Sequence, residues 1–130
     1  FKNIPSWIKS FKYGMNFAAR GSTKLLPALS KTTVDGVLTS ANALSKNGLT
    51  NVGRALQKHA GRQGAFSGIK FSHATGNQQG LNALNNILNS RNLIIQPGKN
   101  GGRLIFDGAT GRGFGISRSG AFNGFRELGL

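Results

Sequence analysis

Two histidines, 17 lysines and arginines and three carboxylates make up the charged chemistry of this 130-residue chain, which has one tyrosine and no cysteine. His59 is the first candidate. An imidazole ordinarily titrates near neutrality, so it can take and return a proton as a general acid/base. It follows Lys58 in the run LQKHAGRQG, with Arg54 four residues before Lys58 and Arg62 four residues after it. On a helix, that spacing sets three cations along one stripe. Such a stripe suits a polyanion, whose phosphates are neutralised by cations and positioned by neutral donors. His59 also falls on the helix's apolar face, so a hydrogen-bonded core histidine is the competing reading.

Four further residues are candidates for holding an anionic ligand. His73, in FSHATGN, reads as a surface residue near a helix start. Asn77, in TGNQQG, belongs to a helix start whose amides and backbone N–H groups can hold a phosphate, with ordinary capping as the alternative. Arg112, in GATGRGFGISR, enters a strand between glycines that let a phosphate approach a bidentate guanidinium. A hairpin turn followed by an exposed arginine explains it equally. Phe125, with Phe114 and Phe122, reads as core, or as a ring on which a base stacks if it opens to a cleft.

The carboxylates exclude more than they suggest. Hard metal ions need clustered oxygen ligands, and Asp35, Asp107 and Glu127 lie far apart in sequence. Two-metal nucleases, magnesium-dependent phosphotransferases and paired-carboxylate glycosidases are therefore disfavoured. Two histidines without a third nearby ligand make no zinc site, and nothing calls for a cofactor. A net charge of +14 points to nucleic acid or an acidic protein ahead of an anionic membrane. No segment approaches the roughly 20 apolar residues of a membrane span. The chain starts at Phe1 without a signal-peptide pattern, which is expected of a fragment of something longer.

Positioning these residues takes helices followed by a sheet. Leu, Ile, Val and Phe number 34 of 130, enough for a core. Residues 1–46 read as a helical N-terminal extension, linker or entry segment. Within it, Ile4, Trp7, Ile8, Phe11 and Met15 have helical spacing. A short helix broken at Pro27 and another ending near Asn47-Gly48 follow. Residues 47–130 read as the functional domain. A helix capped by Thr50 or Asn51 stops at Gly61, with Val52, Ala55, Leu56 and His59 on one face. A second helix presents Leu81, Leu84, Ile87 and Leu88. Short β-prone runs at 93–96, 103–107, 112–118 and 121–127 alternate with turn-like PGKNGG, DGATG and SG. The expected class is α+β, N-terminal helices followed by a four-stranded antiparallel sheet.

The blocks GRALQKHAGRQGAF, ATGNQQGLNALNNIL and DGATGRGFGISRSGAFNGF, in that order, resemble the C-terminal toxin domains of bacterial polymorphic toxins. These tip filamentous-haemagglutinin-like contact-dependent inhibition proteins and Rhs-type proteins. The resemblance spans about residues 47 to 130, and its first block is the specific part. The chain departs from the pattern at Ala60-Gly61, where His-Gly is usual, at Gln63 for Pro, and at Arg126-Glu127, where Leu-Glu-Pro often closes the domain.

The resemblance implies a metal-independent endoribonuclease with a barnase- and colicin-tRNase-like fold. It would cut tRNA by 2′-hydroxyl attack, leaving a 2′,3′-cyclic phosphate. His59 falls on the family's histidine, as general acid/base, and Arg62 and Arg112 on its arginines, as stabilisers of the phosphate. Arg54, Lys58, His73, Asn77 and Phe125 are then expected to bind substrate, while Asp107 orients a base, ties down an arginine or is structural. An acidic cognate immunity protein is implied, as is export as the C-terminal part of a larger bacterial protein that acts in the target-cell cytoplasm. Whether a host activating factor is required stays open. So do a DNase or nucleotide-targeting toxin, a noncatalytic basic nucleic-acid-binding module, and a membrane-active domain relying on residues 1–20.

Overall fold

The computed structural model describes residues 29–128. The amphipathic helix expected within residues 1–20 and the break at Pro27 lie outside them. Helix α1 (Lys31–Ala41) is capped by Ser30, whose Oγ accepts from the Thr33 N–H at 3.1 Å. Its buried residues Val34, Val37, Leu38 and Ala41 follow the i, i+3, i+4, i+7 pattern of a one-sided apolar stripe.

The expected stop at Asn47-Gly48 is displaced: α1 ends six residues earlier. Asn47 (φ 57°) and Gly48 (φ 78°) instead form a tight turn closed by Leu49 N–H on the Lys46 carbonyl, beside a Leu44–Thr50 bridge. Asn-Gly supplies the two positive φ angles of a hairpin turn, and that demand prevails over its role as a helix stop.

Helix α2 (Asn51–His59) begins at Thr50, whose Oγ1 accepts from Gly53 N–H at 3.1 Å. It ends as expected at Ala60, with Gly61 at φ 84°. Helix α3 (Gly76–Leu88) follows a short 3₁₀ turn at His73–Thr75. Where α2 and α3 cross, a Cβ on Gly80 would sit 2.5 Å from the Val52 carbonyl oxygen, so hydrogen alone permits that approach.

Strands β1 (Leu93–Pro97), β2 (Arg103–Asp107), β3 (Arg112–Ile116) and β4 (Phe122–Glu127) pair in sequence order, every pair antiparallel. The molecule is the α+β arrangement expected from the sequence. β3 is shorter than expected because Ser117 closes the next turn, its N–H donating to the Ala121 carbonyl at 2.9 Å and its Oγ accepting from the Ala121 N–H at 3.0 Å.

The helices cover one face of the sheet. Val52 and Leu56 of α2 and Leu84, Ile87 and Leu88 of α3 join Ile105, Phe114, Ile116, Phe122 and Phe125 in one core. Each such side chain contributes about 1.5–3 kcal/mol on burial. Phe122 and Phe125 are three apart, which in a regular strand would send them to opposite faces. The β3–β4 register slips between Phe114 and Ile116, and Gly124 there has φ 82°. This bulge turns both rings inward.

Residues 29–46, read above as part of an extension, pack on that core through Leu29, Val34, Val37, Leu38 and Ala41. Phe122 N–H donates to Ser40 Oγ at 3.2 Å, and Asn51 Nδ2 donates to the Ser40 carbonyl at 2.9 Å.

Candidate active site

The last turn of α2 carries His59 over the sheet at Phe125 and Glu127. Its ring packs against Phe66 (centroids 5.4 Å apart) and edge-on to Phe125 (6.5 Å). Nδ1 lies 3.3 Å from Glu127 Oε2, with the two side chains 23% and 31% exposed. Nε2 makes no hydrogen bond among the described residues. One ring nitrogen is thus held by a carboxylate while the other is left for a ligand, the arrangement that fixes a tautomer and steadies an imidazolium.

Glu127 is itself fixed. Its Oε1 accepts from the Ala65 N–H at 2.7 Å. That bond, opposed by partial burial and aided by the hydrogen bond and charge of His59 and by Arg62, holds its carboxyl below the usual glutamate range. Arg112, paired with Glu127 across β3 and β4, donates from Nε to the Ala65 carbonyl at 2.7 Å. Its guanidinium carbon stands 5.5 Å from the Phe66 ring centroid. The backbone N–H and carbonyl of one residue in the loop after α2 are therefore gripped from two strands. Gly64, at φ 141°, precedes this clasp, and a Cβ there would occupy the place of the Glu127 carboxylate.

His59, Arg112, Glu127 and Arg62 form one group around Phe66 and Ala65. Arg62 does not extend the helical stripe as expected, because α2 stops at His59 and Gly61 reverses the chain. It reaches the group from the loop, exposed, and acts on Glu127 through its charge. Arg54 and Lys58 stay one helical turn apart and line a hollow of about 340 Å³ together with His59, Asn123 and Arg126. Among the described residues, neither side chain has a hydrogen-bonding or ionic partner. The terminal nitrogens of Arg112 are likewise uncommitted.

The other sequence candidates stand elsewhere. His73 is exposed in the 3₁₀ turn before α3, and no interaction ties it to His59. Asn77 is occupied structurally: its Oδ1 accepts from Thr50 N–H at 2.7 Å and from Thr50 Oγ1–H at 3.1 Å, while Nδ2 donates to the Gly48 carbonyl at 3.0 Å. That pins α3 to the start of α2 and commits the Asn77 Oδ1 and one of its two amide N–H groups to structure. Phe125 is 1% exposed and sits between Phe66 and Phe122. It is the floor under His59, with no face open to a base.

Asp107 caps the β2–β3 turn, accepting from Ser90 Oγ at 2.8 Å, Ala109 N–H at 3.0 Å and Thr110 Oγ1 at 2.9 Å. Burial pushes its carboxyl up, but these donors and Arg112 outweigh it and leave the group below the usual range. Sequence reasoning missed Glu127. The available signal was scarcity, since a carboxylate in a chain of net charge +14 with three acidic residues has many competing cations to answer.

Among the described residues, no three of His, Cys, Asp and Glu gather as a metal-binding group, and no helix is long and apolar enough to cross a membrane. Comparison with curated proteins and with solved structures returned no match. A model of the family described as the CdiA C-terminal tRNase toxin domain matches residues 38–127, which takes in the last residues of α1, α2, α3, all four strands and every member of the His59 group. The chain belongs to the CdiA C-terminal tRNase toxin domains, and it is a ribonuclease.

Proposed function

We propose that this tRNase works without a metal ion, by transesterification at the 2′-hydroxyl, and that the His59 group is its catalytic centre. The observation that carries this reading is the His59–Glu127 pair, 3.3 Å apart, set among cations with uncommitted nitrogens. His59 Nε2 takes the proton of the 2′-hydroxyl as the O2′–P bond forms. Glu127 stabilises the resulting imidazolium through Nδ1–H. Arg112 and Arg62 meet the extra negative charge of the phosphorane, a preorganised electrostatic role. The P–O5′ bond then breaks, leaving a 2′,3′-cyclic phosphate, and the departing oxygen takes a proton from solvent. Arg54 and Lys58 hold the neighbouring phosphates of the strand in the hollow beside His59.

The family supports delivery as the C-terminal part of a larger secreted toxin that acts in target cells, and our reading puts that action in the cytoplasm, where tRNA is found. The exposed cations around His59 favour an acidic immunity protein that covers them in the producing cell. The test is incubation of the purified domain with total bacterial RNA in EDTA, beside His59→Ala. Discrete tRNA fragments ending in a cyclic phosphate are expected from the parent, with activity reduced by about 10²–10⁴-fold in the variant. Equal cleavage by both proteins would remove His59 from the chemistry, and a requirement for added metal would overturn the metal-free reading.

A further inference from the structure

The face of the sheet turned away from the helices holds a larger groove, about 890 Å³, framed by the β1–β2 and β3–β4 turns. Strand alternation explains why it is there: Ile105, Phe114 and Phe125 point into the core, so Leu104, Gly115 and Arg126 point to the other side. Lys99, Arg103, Arg118 and Arg126 line it, and no Asp, Glu or aromatic residue does. Gly115 at its centre is buried, and its absent side chain leaves room for Asn123 and the Arg126 guanidinium, which lie over it and put a cation on the floor of the groove.

Asn123 and Arg126 line both this groove and the hollow beside His59. β4 is an edge strand, so the two sites communicate around an open margin of the sheet. The cations therefore continue from Arg54 and Lys58, past Arg126, to Arg118 and Lys99.

We propose that this groove is a second RNA subsite, which anchors the sugar-phosphate backbone of the substrate beyond the cleaved bond. It rests on the reading of the His59 hollow as the place where RNA is cut. Cations with small hydroxyl and amide donors suit the sugar-phosphate backbone, and without aromatic rings the groove offers no platform on which bases stack. The groove thus selects for length and backbone shape: a folded tRNA reaches it, and a short oligonucleotide bound at His59 does not.

The test uses Lys99→Ala/Arg118→Ala, two exposed positions, in the intact chain. In a His59→Ala background, binding of bacterial tRNA is followed by fluorescence anisotropy across a salt series. The double substitution should weaken binding about tenfold at moderate salt and flatten the log–log salt slope by roughly one per cation removed. In the active protein it should raise KM for tRNA while leaving kcat, and cleavage of a short single-stranded oligonucleotide, unchanged. Lys99→Arg/Arg118→Lys should restore the parent behaviour. Unchanged tRNA binding and KM would overturn the proposal, as would an equal loss on both substrates. Unchanged tRNA binding with lost inhibition by an acidic protein partner would make the groove a protein-docking surface instead. The binding arm does not depend on which residue catalyses cleavage, so failure of the His59 assignment leaves a distinct result.

Discussion

Glu127 divides its carboxylate between His59, the proposed proton acceptor, at 3.3 Å and the backbone of the loop after α2, through Ala65 at 2.7 Å. Replacing it with Gln keeps an acceptor for Ala65 and removes the charge that steadies an imidazolium. A fall in kcat of about tenfold or more with little change in KM is expected, since the lost interaction strengthens only as His59 becomes charged. The same residue sets an acid limit. Its folded carboxyl is held low, so its contribution to stability is full above the usual carboxylate range and is lost as pH falls through the folded value. Asp107, also lowered, behaves alike. Melting temperature followed from neutral to acid pH should drop less steeply for Glu127→Gln than for the parent, and an unaltered slope would sever Glu127 from acid stability. As candidates, His59 was legible from its residue type and the specific first block, and Arg112 from its residue type and flanking glycines. Glu127 was not, because its meaning depends on a partner 68 positions away.

At the scale of elements, periodicity made α2, α3 and the four strands readable. The departures arise where one local signal serves two structures. Asn47-Gly48 ends no helix because the pair is used in a hairpin turn, and Phe122 and Phe125 share a face only because a bulge intervenes. The approach of α2 and α3 at Gly80 was invisible for another reason: a glycine in a helix looks like a weak point until its neighbour is known. Gly80→Ala would gain helix propensity in isolation. Here it drives a methyl group into the Val52 carbonyl, and a loss of about 1–3 kcal/mol in urea unfolding is expected. A stabilised variant would show that the helices separate freely, and with them the base of the site.

For the whole molecule, the charge foretold a polyanionic substrate, and the four-stranded meander under helices followed from pattern alone. The way the tertiary structure distributes those charges over both sides of one edge strand did not. A two-sided sheet has one more consequence. His59 comes from a helix near the middle of the chain and Glu127 from the final strand of the meander, and the peptide of Ala65 is clasped only when β3 and β4 already lie side by side. On refolding from urea, cleavage of a fluorogenic RNA should therefore lag the return of helical far-UV signal and appear only with the completed sheet; cleavage that kept pace with the helices would deny this. A polypeptide threaded through an envelope in extended form would accordingly carry no nuclease at all. If the domain travels unfolded, the His59 group would be assembled only on arrival, as the last strand closes.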